Sequence, residues 1–215
     1  IHRGKHMYGD RVALSFADRQ TSYEELYGKI STCAGALLNL DSRAGSSVGI
    51  LSLNSDRAII GFYAAMWAGK VPNYLNIRWS VFELSASIDD FVPSILFVDK
   101  TFLEMGLELK QRCPCIEHVI LFDEQADSAP SVLSYVDILA QASPISDQSV
   151  GEHEMAFLNY TGGTTGKGKG VIHSHASHFA TLAMCATENF FCQGRTLMTM
   201  PLFHISGIGV SNAGL

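Results

Sequence analysis

Ten consecutive residues, Thr161 to Gly170, comprise five glycines, three threonines and two lysines. Glycine lets main-chain N–H groups approach a ligand closely and take up left-handed conformations that side chains forbid. Successive N–H groups turned inward form a concave anion site, threonine hydroxyls add donors, and Lys167 and Lys169 set positive charge beside it. Each hydrogen bond to a charged oxygen contributes roughly 1.5–3 kcal/mol, so a handful can hold a polyphosphate tail. The alternative is a passive glycine-rich linker. Against it, the loop follows an apolar run (Met155 to Asn159), a β-like pair (Val171, Ile172) resumes at once, and threonines and lysines are interleaved with the glycines.

From Gly163 the sequence GTTGKGKG nearly matches the nucleotide-binding pattern G-x-x-x-x-G-K-[ST], but Gly170 stands where a magnesium-holding hydroxyl belongs. Two apolar runs, ILFVD (Ile95 to Asp99) and VILFD (Val119 to Asp123), each end in an aspartate. Both precede the loop, and their duplication points to buried strands ending at polar turns. His173, His175 and His178 crowd HSHASH without an adjacent acid or cysteine, so no metal site is expected there. His204, in PLFHISG, is the remaining candidate: either a packed histidine or a group on the substrate side.

These residues need a scaffold. Ser22 and Glu25 form a capping box that opens a helix with an apolar face of Tyr23, Leu26, Tyr27, Ile30, Cys33, Ala34, Leu37 and Leu38. Val48 to Leu53 reads as a buried strand, and Asn54 or Ser55 as the cap of the next helix, which runs through Trp67 and ends at Gly69. Val71 to Leu75 is a strand, and Ser80 with Glu83 opens a helix towards Asp89. Asn76 and Arg78 close the turn between them. Ile95–Val98 and Val119–Phe122 are strands flanking a helix over 101–111; 132–142 predicts a further helix, and Met155–Asn159 a strand entering the loop. The polar stretches 123–130 and 143–152 are surface connections. Strands alternating with helices imply an α/β fold with mostly parallel sheets flanked by helices. Such folds place ligands at the carboxyl ends of strands.

Composition narrows the function classes. The chain has 215 residues, 47% hydrophobic and 17% charged, as ordinary globular proteins do. A net charge of −6 argues against a nucleic-acid partner. The longest uncharged apolar run, Ala58 to Gly69, has 12 residues against the roughly 20 that span a bilayer, so no transmembrane segment is expected. The start, IHRGKHMYGD, has no apolar signal core and no initiating Met, from which we expect no secretory segment and a missing front end. The five scattered cysteines (Cys33, Cys113, Cys115, Cys185, Cys192) fit reduced thiols in a cytoplasmic protein.

YTGGTTGKGKGVIHSH (Tyr160 to His175) resembles the phosphate loop of the AMP-forming acyl-CoA synthetases, members of the adenylating superfamily, whose pattern is approximately Y-T-[SG]-G-T-T-G-x-P-K-G-V. Tyr8 to Ile30, Asn54 to Leu84 and Pro201 to Gly207 are similar to that family's opening segment, its early helix and strand exit, and its acyl and pantetheine channel. Gly168 departs from the pattern by replacing proline, which implies a loop more mobile before ATP arrives.

The resemblance implies that Thr161, Gly162, Gly163, Thr164, Thr165, Gly166 and Lys169 hold the ATP phosphates, that Lys167 adds only screened charge, and that His204 lies near the acid's carboxylate or gates the thioester channel. It implies ATP, Mg2+ and CoA as cofactors and a small-molecule carboxylic acid, expected to be fatty, as substrate. Residues 1–215 are then expected to be a partial N-terminal adenylation domain, inactive alone, with the adenine contacts, magnesium-binding glutamate and mobile lid domain in a missing C-terminal portion. Two alternatives remain: an amino-acid or aryl-acid adenylation domain loading a carrier protein, and a non-catalytic nucleotide-binding fragment.

Overall fold

The structure, a computed structural model, describes residues 1–123, 131–162, 168–187 and 194–215. A short helix α1 (His2–Tyr8) leads into an antiparallel hairpin, β1 (Val12–Phe16) and β2 (Arg19–Ser22). Helix α2 (Tyr23–Leu40) opens with the expected capping box: Ser22 Oγ accepts from the Glu25 amide, and the Glu25 carboxylate accepts from the Ser22 amide at 2.8 Å. Leu26, Ile30, Cys33, Ala34 and Leu37 on its apolar face are fully buried.

Beyond α2 the chain alternates as its pattern requires: β3 (Ser47–Leu51), α3 (Asp56–Trp67), β4 (Val71–Tyr74), α4 (Val81–Phe91), β5 (Pro93–Val98), a 3-10 turn (Lys100–Phe102), α5 (Leu103–Arg112) and β6 (His118–Leu121). After these come β7 (Val132–Ser134), α6 (Tyr135–Ala140), β8 (Met155–Thr161), β9 (Lys169–Ser174), α7 (His175–Thr187) and α8 (Ile205–Gly214). Seven strands form one sheet in the order β7-β6-β5-β3-β4-β8-β9. Every neighbouring pair is parallel except β8 and β9.

Successive strand residues serve opposite cores. Ile50, Phe97 and Ile120 pack with Leu26, Ile30 and Phe62 on one face, while Leu51, Val98 and Leu121 pack with Leu84, Ile88 and Leu109 on the other. Burial on both faces is why these strands read as unbroken apolar runs rather than alternating ones.

Helix α3 is capped by Ser55, whose Oγ accepts from the Ala58 amide, and Gly69 follows its end at φ 66°. Asn54 is therefore free for another use, described below. Helix α4 carries the second capping box, Ser80 with Glu83. The turn before α4 is closed by Asn76, which accepts from the Arg78 amide at 3.1 Å. Asp99 caps the 3-10 turn and accepts from the Leu53 amide, and Asp123 accepts from the Lys100 amide, so both aspartates end buried strands at polar turns. One expectation is corrected: the region 132–142 begins with the strand β7, which pairs with β6, and only Tyr135–Ala140 is helical. Val132 pairs with Val119, and both lie in the same buried cluster as Leu121.

At the opposite end of the sheet a buried ion network joins the amino ends of β3, β4 and β5. Asp41 accepts from Arg43 at 2.8 Å and from Ser94, and lies 3.6 Å from the fully buried Lys70 ammonium, which also donates to Ser46 Oγ. Burial would raise the Asp41 carboxyl, but hydrogen bonds from Arg43 and Ser94 outweigh it and hold the group well below the usual carboxylate range.

Candidate functional site

The glycine-rich loop is the connection of a hairpin. Strand β8 enters it at Thr161, β9 leaves it at Lys169, and these two residues face each other on the last rung. Of the residues expected to hold phosphate, Thr161, Gly162 and Lys169 are described; Gly163, Thr164, Thr165 and Gly166, with Lys167, lie outside the described residues. Thr161 and Lys169 are exposed, and Thr161 Oγ1 donates to the Lys169 carbonyl at 3.4 Å. Among the described residues nothing would meet a Cβ built on Gly162 within 4 Å, which leaves the main chain at the loop's entry open on that side.

The stem is held from below by α4 and the turn before it. Tyr160, 8% exposed, donates from its hydroxyl to Asp90 at 2.5 Å and to the Ser87 carbonyl at 3.3 Å. Burial, and then the neighbouring Asp90 carboxylate, push the Tyr160 phenol well above its ordinary value. Trp79 meets Tyr160 edge-on at 6.3 Å between ring centroids. Its ring also fills the space a side chain at Gly168 would need: a Cβ there would lie 2.4 Å from Trp79 Cη2. Gly168 thus has a steric reason to be glycine where the related pattern has proline.

Directly opposed residues of an antiparallel pair share a face, as do residues two apart on one strand. Asn159, Thr161 and Lys169 therefore share one face of the hairpin. Asn159 donates from Nδ2 to the Phe203 carbonyl at 3.0 Å, which brings the PLFHISG segment onto that face. Arg78, at the end of the β4 turn, lies over the Phe203 ring at 5.6 Å. Leu202 is 2% exposed and anchors the segment in the core, whereas His204 is exposed.

His204 caps α8. Its Nδ1 accepts from the Ser206 amide at 3.2 Å and lies 2.7 Å from Ser206 Oγ. A main-chain N–H can only donate, so Nδ1 is the unprotonated nitrogen and Nε2 carries the proton. That leaves Nε2–H as the donor available to a ligand. Gly207 is required by the tight approach of the first turn to Pro201: an added Cβ would fall 2.1 Å from the Pro201 carbonyl oxygen.

Two of the HSHASH histidines pack around one phenylalanine. His173 stacks on Phe157 at 4.3 Å, and His178 meets the same ring edge-on at 5.3 Å. Burial, followed by repulsion from His175 and His173, lowers His178 to about 4. Among the described residues no group of three metal-ligating side chains is assembled.

With this geometry in place, comparison with known proteins decides the family. The model of the family described as AMP-binding enzyme matches residues 2–215. The chain belongs to that family. It is 27% identical over 198 residues to a medium-chain fatty acid–CoA ligase of Ectopseudomonas oleovorans, covering 88% of this chain and 36% of that protein. It is 30% identical over 224 residues to 4-coumarate–CoA ligase-like 2 of Arabidopsis thaliana, covering 100% of this chain and 38% of that one. Among solved structures, an anthranilate CoA ligase in complex with anthranoyl-AMP superposes with a TM-score of 0.92 at 23% identity, over 99% of this chain and 42% of the other. The chain thus spans roughly two fifths of the length of the relatives it matches.

Two residues that bond the PLFHISG segment and the residue before it, Asn159 to the Phe203 carbonyl and Asn54 to the Met200 carbonyl and Leu202 amide, are missing from the sequence-based reading as site residues. Asn159 had a signal, a polar residue inside the apolar run AFLNY, now 5% exposed. Asn54 had only an ambiguous one, since it adjoins Ser55 and either can cap a helix.

Proposed function

We propose that residues 1–215 are the N-terminal part of an AMP-forming acyl-CoA ligase. In this reading a carboxylic acid, preferentially a fatty acid, is activated with ATP to acyl-AMP and then passed to CoA. Family membership supports it, and the single observation that carries it furthest is the hairpin face that gathers Thr161, Lys169 and, through Asn159, the His204 segment. ATP would supply the adenylyl group taken up by the acid's carboxylate, with pyrophosphate as the leaving group, and the donors present suit its phosphates. The open main chain at Gly162, the Thr161 hydroxyl and the Lys169 ammonium, with Gly163, Thr164, Thr165 and Gly166, would hold the β- and γ-phosphates and stabilise charge on the departing pyrophosphate. His204, with its proton on Nε2, would donate to an oxygen on the acid side. No described residue is assigned to Mg2+.

An aryl acid is the second substrate reading, supported by the identity to the 4-coumarate–CoA ligase-like protein. A cytoplasmic site of action is part of the proposal, supported by the unpaired thiols of Cys33, Cys113, Cys115 and Cys185. The test is ATP–pyrophosphate exchange by the full-length protein across a panel of fatty and aryl acids, followed by CoA-dependent thioester formation. Exchange with at least one acid class is expected, and none from residues 1–215 alone. No exchange with any acid by the full-length protein, or clear exchange by the isolated chain, would overturn the proposal.

A further inference from the structure

We infer that Asn54 is a positioning residue for the acid-side segment that carries His204, an inference that rests on the proposed ligase function. Asn54 lies just past the carboxyl end of β3, yet its side-chain amide reaches across 146 positions to donate to the Met200 carbonyl at 2.8 Å. Its Oδ1 accepts from the Leu202 amide at 2.9 Å. Pairing with one obligatory acceptor and one obligatory donor fixes the orientation of the amide.

The two contacts bracket Pro201, which has no N–H to give. A strand could not pair with this segment in the ordinary way, so a side-chain amide does so instead, taking the carbonyl before the proline and the N–H after it. Three further carbonyls of the segment are also engaged. The Pro201 carbonyl accepts from the His204 amide at 3.0 Å, the Phe203 carbonyl from Asn159, and the His204 carbonyl from the Gly207 amide at 2.9 Å. Asn54 and Asn159 thus hold the two ends of a short segment over the carboxyl ends of β3 and β8. His204 is the exposed residue that follows. The helix cap that Asn54 could have supplied is made by Ser55, so the amide is spent wholly on this contact.

The test uses the full-length protein in two arms. In hydrogen exchange, Asn54→Ala should speed exchange at the Leu202 amide by about 10-fold or more, whereas Asn54→Asp, which keeps the acceptor, should leave it protected. In kinetics, Asn54→Ala should lower kcat/KM for the acid about 10- to 100-fold, with the KM for ATP changed less than about two-fold, because displacement of a reacting group by an ångström costs that much. Combined with His204→Ala, Asn54→Ala should add no further loss, since it acts through the residue already removed. Ser55→Ala serves as the control for a merely structural effect: it removes the α3 cap beside Asn54 and should leave acid kinetics unchanged. Unaltered Leu202 exchange in Asn54→Ala would overturn the clamp. Losses that multiply with His204→Ala, or that Ser55→Ala reproduces, would overturn the positioning role. A wild-type protein without exchange activity would remove the ligase reading and the positioning role with it, while Leu202 exchange would still decide whether the clamp exists.

Discussion

Replacing Gly168 by alanine should cost more in the wild type than in a background without the Trp79 ring. Gly168 does not occupy the left-handed region, so an alanine meets no backbone penalty there. By restricting the unfolded chain it should stabilise the protein by about 0.4–1 kcal/mol. The added Cβ, however, would lie 2.4 Å from Trp79 Cη2, 3.0 Å from Cζ2 and 3.1 Å from the Thr161 carbonyl oxygen. Relieving the first contact means moving the indole by about 1 Å, and overpacking of this kind costs about 1–3 kcal/mol. The net expectation is a loss of up to about 2.6 kcal/mol in the wild type. In a Trp79→Leu background the ring is gone and only the 3.1 Å contact with the Thr161 carbonyl oxygen remains, so Gly168→Ala should cost clearly less than in the wild type. The assay is a double-mutant cycle by urea unfolding of the full-length protein, with Gly168→Pro as a third variant that restores the related pattern. Equal costs in both backgrounds would show that Trp79 is not the reason for the glycine, and so would stabilisation of the wild type.

The buried ion network offers a second check. Asp41→Ala strands the Lys70 ammonium without its carboxylate and should cost about 3 kcal/mol, the lower end for a broken buried pair because Arg43 is solvent-screened. Asp41→Ala with Lys70→Met should recover part of that loss in denaturant titration, and an unchanged midpoint in the single variant would refute the assignment. His178 gives a third check. Its value in the folded chain, about 4, lies below the ordinary histidine value of 6.5, so between them the unfolded chain binds a proton that the folded one refuses. Its contribution to stability is complete above the ordinary value and is lost as the pH falls towards about 4. His178→Leu should therefore flatten the decline in unfolding midpoint between neutral and acid pH; an unchanged decline would place its cause elsewhere.

What could be read from the sequence followed physical locality. Both capping boxes, the doubly buried strands and Gly69 as a helix end are local patterns, and each stands in the structure as expected. The β1–β2 hairpin escaped because its turn uses Ala17 at φ 52° rather than the glycine or asparagine that normally marks such turns. Strand β7 escaped because VLSYVDILA spaces its apolar residues as a helix does, and only the neighbouring β6 turns its first residues into a strand. At the site, Thr161 and Lys169 announce themselves in the loop's composition. Asn54, Asn159 and the Trp79–Gly168 contact do not, because each depends on a partner distant in sequence that the sheet brings near.

The most direct trial of phosphate positioning by the hairpin compares two half-reactions of the full-length protein bearing Lys169→Ala. Pyrophosphate exchange should fall about 10- to 100-fold if, as proposed, the ammonium stabilises charge that develops only as pyrophosphate leaves. Thioester formation from supplied acyl-AMP should change less than about two-fold, since no pyrophosphate departs in that step. Equal slowing of both would contradict the account.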